Sequence, residues 1–229
     1  MTERLNYYDV LSALVPGILL AFWFSVCFPS VRKALAGVAV PEAVAVLAFI
    51  AAAMFIGHIV QSLAALIEAA LFRSWGGRPS DRALEGGLRD LLPKDSAQRI
   101  RTKLSRLLGA DCATRSLFLY AMQMADGTNA GRAGRFNALY AYHQGLLVAF
   151  AIGTALLVLS RFCGAAASWS PGSWWSFLAA MVVILLLLWH RTKQRARYYA
   201  REVLLTAERV LDERQGTAPG HPEGSKRKE

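Results

Sequence analysis

The sequence predicts an all-α membrane protein: four transmembrane helices, a helical cytoplasmic insert between the second and third spans, and a C-terminal amphipathic helix. Three observations carry this. Nearly charge-free apolar windows occur at Val10–Phe28, Val44–Leu71, Ala138–Leu159 and Ser173–Trp189, and ~20 helical residues at ~1.5 Å each cover a ~30 Å hydrocarbon core. Basic residues fall almost entirely on one side of that arrangement, 23 of the 26 lying before the first span, between the second and third, or after the fourth. Between and after the spans, apolar residues recur with helical rather than strand periodicity. The bulk figures, 55% apolar residues and a mean hydropathy of +0.32, understate this because the apolar residues are concentrated in blocks.

The first span, about residues 10–28, follows "MTERLNYYD", in which Glu3 and Asp9 accompany Arg4. With no A-x-A cleavage site after it, it reads as an uncleaved span rather than a secretory signal. Pro16–Gly17 removes a backbone hydrogen bond inside it and makes this pair a candidate hinge or packing kink. The second span, about 44–71, closes the first transmembrane hairpin (1–72). The third, about 138–159, and the fourth, about 173–189, form the second hairpin (138–189). "FLAAMVVILLLLW" in the fourth has no polar stripe at all, unlike a soluble core helix.

Under the positive-inside rule the basic distribution places both termini and the insert of this multi-pass protein in the cytoplasm. The insert, 73–137, opens with the Gly- and Pro-rich "RSWGGRPSDRALEGGLRDLLPKD", expected to hold only short helical turns and too little apolar content for an independent domain with a large core. Asp95 and Gln98 have capping-box spacing before Ile100, Leu104, Leu107 and Leu108, with Gly109 as the stop. Asp111 is a second expected cap, ahead of a helix with Leu117, Tyr120 and Met124 on one face. The two apolar faces are expected to pack on each other, on the tail helix or on the bilayer. Residues 190–215 place Tyr199, Val203, Ala207, Val210 and Leu211 on one side, with Arg201, Glu202, Glu208, Arg209, Asp212 and Glu213 opposite. The remainder, 216–229, is polar, basic and expected to be disordered.

The net charge of +10 is accounted for by topology and by attraction of Lys and Arg to anionic lipid, worth about 1 kcal/mol each. Nucleic acid is therefore not an expected partner. Arg132, Arg135, Arg195, Arg197 and Arg201 flank the spans and are candidate contacts for anionic lipid or for a protein partner. Cys27, Cys112 and Cys163 lack metal-ligand spacing, and neither a metal nor another cofactor is implied. Cys27 and Cys163 fall near the same membrane face, so a disulfide between them is open.

The chemistry-bearing segment is "FIGHIVQSLAALIEAALF", Phe55 to Phe72. At ~100° per residue His58, Gln61, Ala65 and Glu68 share a stripe about 80° wide. An ionisable side chain facing lipid costs about 2.5–3.5 kcal/mol, so the stripe is expected to face other helices or water. His143 of the third span is its candidate partner, and Arg73 or Arg135 a candidate partner for Glu68. Small residues at Ala51, Ala52, Gly57, Ala64 and Ala65 permit close helix approach. His58 and Glu68 stand ~15 Å apart along one helix, too far for a joint acid–base pair, and no H-E-x-x-H, G-x-S-x-G or Walker lysine loop occurs.

"YDVLSALVPGILL", "GHIVQSLAALIE" and "RFNALYAYHQGL" resemble segments of small bacterial multi-pass membrane proteins, some of which accompany antiviral defence loci. The resemblance implies a membrane-embedded accessory or effector protein responding to a cytoplasmic partner. Three functions follow as expectations. The first is a non-catalytic membrane component assembling with itself or with a protein partner through the insert and tail. The second is an oligomeric channel or permeabilising effector using the polar stripe, and the third an intramembrane enzyme acting on lipid or peptide.

Overall fold

The computed structural model describes residues 7–30, 33, 41–86, 88, 91–127, 132–162 and 170–216. Its elements are helical: α1 (Tyr7–Cys27), α2 (Glu42–Ser74), α3 (Pro79–Gly86), α4 (Lys94–Leu108), α5 (Thr114–Asp126), α6 (Arg132–Phe162) and α7 (Pro171–Gly216). Among the described residues the only strand-like pairing is an isolated bridge between Leu88 and Leu92. Four helices, α1, α2, α6 and α7, are long and apolar enough to cross a membrane. Cys163 and residues 217–229, on which the disulfide and the disordered tail were placed, lie outside the described residues.

The chain divides into two compact units. The first comprises residues 1–79 and 134–199. Within their most apolar windows α1 and α6 are each 39% buried, against 17% for α2 and 11% for α7, so α1 and α6 carry the interior. Small residues make this possible. A Cβ on Gly17 would overlap the Ala53 carbonyl oxygen, and one on Gly57 would overlap the Ala13 carbonyl, so α1 and α2 cross with backbones in contact. The buried Pro16 ring stands 3.0 Å from where Gly145 of α6 would carry a Cβ. Trp23 fills the equivalent space beside Gly153, its ring packed on Phe150 and Phe177. Pro16–Gly17 therefore lies in the tightest contact of the unit, where a hinge would have no free volume. One cluster joins Leu20, Val60, Ala64, Val148 and Ala149; another joins Trp23, Cys27, Leu157, Trp174 and Met181.

The second unit comprises residues 80–133 and 200–229. Its core is drawn from both of these segments. Leu84, Leu92, Ile100, Leu104 and Leu117 are fully buried, and Val203, Leu204 and Ala207 of α7 supply as well-buried a set. The apolar content missing from the insert arrives from a segment about a hundred residues later. α4 and α5 pack together, and Lys103 of α4 reaches both Glu208 (3.6 Å) and Asp212 (2.5 Å) of α7.

Four local expectations are corrected. α4 begins at Lys94 with Pro93 at its N-cap, and no side chain caps it; Asp95 sits inside the first turn, where its charge still opposes the helix dipole favourably. α5 likewise starts after Ala113 rather than Asp111. The buried face of α4 is Ala97, Ile100 and Leu104, while Leu107 and Leu108 are exposed in the last turn before Gly109, whose φ of +103° ends the helix. Glu202, expected on the polar side of the tail helix, is buried and paired at 3.2 Å with Arg132.

Candidate functional site

The polar stripe of α2 does not lie on a single surface once the helix is packed. Its buried residues are Ala53, Gly57, Val60 and Ala64, which centre the interior face about 130° round from His58 at ~100° per residue. Gln61 and Glu68 fall at the edge of that face and are half-buried, whereas His58 and Ala65 point away from it and are exposed. The stripe thus straddles the boundary between the bundle and its surroundings.

Three interhelical hydrogen bonds fasten this edge. Gln61 Nε2 donates to Ser12 Oγ of α1 at 2.9 Å. Gln144 Nε2 of α6 donates to the Ala64 carbonyl at 2.9 Å. The Tyr140 hydroxyl, also on α6, donates to Glu68 Oε1 at 2.9 Å. Each such bond within a bilayer contributes about 0.6 kcal/mol, at most about 1.7, so the three together hold α2 by about 2 kcal/mol. His58 makes no side-chain hydrogen bond among the described residues; only its backbone carbonyl accepts, from Ser62 Oγ at 3.0 Å.

Around these bonds lies an open cleft of about 370 Å³ lined by Ser12, His58, Gln61, Ala64, Ala65, Glu68, Ala141 and Gln144. His143, the expected partner of the stripe, is absent from it. Its Nδ1 lies 2.7 Å from the Leu139 carbonyl of its own helix, and its backbone carbonyl accepts from Thr192 Oγ1. The reason is rotational. Tyr140 and Gln144, four residues apart, share the α6 face turned to α2, and His143 lies about 100° round from Gln144. Among the described residues Glu68 is partnered by the Tyr140 hydroxyl and not by Arg73.

Sequence reasoning missed Ser12, Tyr140 and Gln144 as members of this site. The available signal was Gln144 itself: a carboxamide inside an apolar window requires a partner as His58 and Gln61 do.

The flanking arginines divide. Arg132 and Arg135 are exposed, and Arg132 is paired to Glu202. Arg195, Arg197 and Arg201 are half-buried, with Nε of Arg195 and of Arg201 enclosed and without a hydrogen-bond partner among the described residues.

A second concavity belongs to the other unit. A groove of about 910 Å³ runs beside α4, with Lys94, Gln98, Arg101, Thr102 and Arg106 on one side and Glu85 and Gly86 on the other. Its polar residues follow one face of α4, so it is a cationic groove with a single carboxylate.

Comparison with protein families, with characterised proteins and with solved structures finds no match to this chain, so the site is interpreted from its own geometry.

Proposed function

We propose that this chain is a non-catalytic integral protein of a bacterial inner membrane, with cytoplasmic termini, which assembles with itself or with a cytoplasmic protein through its insert and tail. The observation that carries this reading is the second unit. Insert and tail fold together around a shared core, and the unit presents a groove lined by Lys94, Arg101 and Arg106. Such a groove suits an acidic protein surface, since opposite charge steers association and fixes orientation. The experiment is site-specific photo-crosslinking from Arg101 and Arg106 in the native membrane, with the mass of the detergent-solubilised assembly as a second readout. A defined adduct that disappears when Lys94, Arg101 and Arg106 are all changed to Glu supports the reading. A strictly monomeric protein with no groove-dependent adduct refutes it.

The exposed His58 beside a polar cleft favours a second reading, an oligomeric channel or permeabilising effector whose path includes the α2 stripe. Ion flux from liposomes that falls in His58→Ala and Gln61→Ala proteins supports it, and flux that is absent or unchanged removes it.

A further inference from the structure

Charge becomes one-sided where the fourth span leaves its apolar block. Between Gly134 and Tyr199 the sequence has no Asp or Glu, while Arg191, Lys193, Arg195 and Arg197 fall within seven residues of α7. At ~100° per residue their directions divide: Arg191, Arg195 and Tyr198 share an arc about 60° wide, and Lys193 and Arg197 each lie about 160° round from Arg195. The first arc turns toward α6. Tyr198 stacks on Phe136 of α6 with ring centroids 6.3 Å apart, and Thr192 Oγ1 lies 3.3 Å from the His143 carbonyl oxygen. Arg195 falls midway between these two contacts, ~4.5 Å along the axis from each. Both it and Arg191 are electrostatic neighbours of His143. Lys193 sits instead over the Trp189 ring, 5.1 Å from its centroid.

The two arginines meet here without an anion of the protein's own. Arg195 is half-buried, and its Nε is enclosed with no hydrogen-bond partner among the described residues. Arg191, exposed and one turn away, donates to the neutral Gln194 Oε1 at 2.7 Å. Like charges four residues apart on a helix repel, and partial burial takes from Arg195 some of the water that would offset this. Of the carboxylates described in this unit, Glu68 accepts from Tyr140, and Glu42 stands in the first turn of α2, at the opposite end of that helix. We infer that the seam between α6 and α7 binds the phosphate of an anionic lipid, with Arg191 and Arg195 as its ligands. Depth selects a lipid. The headgroup layer outside the hydrocarbon is ~5–8 Å thick on each side. Counted from Trp189 at the end of the apolar block, Arg191 stands ~3 Å and Arg195 ~9 Å along the helix, so the pair brackets that layer. The planar fork of a guanidinium matches phosphate oxygens in pairs, and basic pockets between membrane helices bind such headgroups. The inference rests on the four membrane-spanning helices and not on what docks at the second unit.

A phosphate group can come from a lipid or from solution, and the test separates them. Full-length protein is reconstituted in nanodiscs of equal parts phosphatidylglycerol and phosphatidylcholine, which carry the same phosphodiester and differ in net charge. Lipid retained after extraction into detergent is then counted by native mass spectrometry. The expected result is a preference for phosphatidylglycerol of about thirtyfold, the ratio that two arginine–headgroup contacts sustain. Arg191→Gln and Arg195→Gln should each lower it about fivefold. Arg191 is exposed, so its replacement alters the charge without disturbing the packing that encloses Arg195. Arg197→Gln is the control: it removes the same charge from the opposite flank and should leave the preference nearly unchanged. Displacement of the retained lipid by millimolar inorganic phosphate, but not by chloride of equal ionic strength, supports a phosphate site that soluble phosphates also reach, and retention through both supports a site for the headgroup alone. Equal retention of the two lipids by the wild-type protein overturns the inference. So does a preference that Arg197→Gln lowers as much as Arg191→Gln and Arg195→Gln do, because a diffuse surface charge would then attract the lipid.

Discussion

Replacing Gly57 by Ala adds one methyl group at the point where α1 and α2 touch. That methyl would fall on the Ala13 carbonyl oxygen, and the atom that must yield is backbone rather than a flexible side chain. The helices must then part by about 1 Å, which forfeits a quarter to a half of each contact's dispersion energy along the crossing. Overpacking of this kind costs about 1–3 kcal/mol, and stretching the neighbouring Gln61–Ser12 hydrogen bond, one turn away, adds about 0.6 kcal/mol. The expected loss is therefore about 2–3 kcal/mol, or roughly 30- to 150-fold in the folding equilibrium. Gly134→Ala is the matched control: the same methyl on α6 meets nothing within 4 Å, and helix propensity predicts a gain of up to about 1 kcal/mol. The assay is reversible unfolding of purified protein in mixed micelles of increasing SDS fraction. Gly57→Ala within about 0.5 kcal/mol of wild type, or a Gly134→Ala protein destabilised as strongly, would refute the close-crossing argument.

Other changes probe the remaining contacts. Tyr140→Phe removes the hydroxyl that Glu68 accepts and should lower stability by about 1 kcal/mol, seen as a lower midpoint in the same micelle titration. His58→Leu should leave that midpoint unchanged or raise it, since no hydrogen bond is lost among the described residues and a polar group leaves the exposed face; a clear fall would mean that His58 is a structural residue. Leu104→Ala empties a fully buried position of the second unit and should cost about 2–5 kcal/mol, read as faster amide exchange across α4. Lys103→Ala should speed exchange in Glu208–Asp212 more than Arg99→Ala does, because Lys103 is the more enclosed partner and touches both carboxylates. Both effects should shrink in high salt.

The four spans were legible in the sequence because hydrocarbon imposes a simple rule: every backbone amide must bond within its own helix, and about twenty apolar residues must follow one another. The terminal glycine of α4 and the run of the fourth span into an amphipathic extension were legible for a similarly local reason, a stop residue and a periodicity. What local pattern could not give is rotation about each helix axis. The stripe from His58 to Glu68 is real as a pattern, yet only packing decides that its edge faces inward at Gln61 and Glu68 and outward at His58. Packing likewise makes Gln144 rather than its neighbour His143 the residue that meets α2. Capping failed as a guide where Pro93 and Ala113 began helices that Asp95 and Asp111 were expected to begin. The second unit is the clearest case. Each of its two segments is too poor in apolar residues to fold alone, and the sequence places them about seventy residues apart. Tertiary structure alone unites them, because a shared core is a property of which faces meet in space and not of any window along the chain.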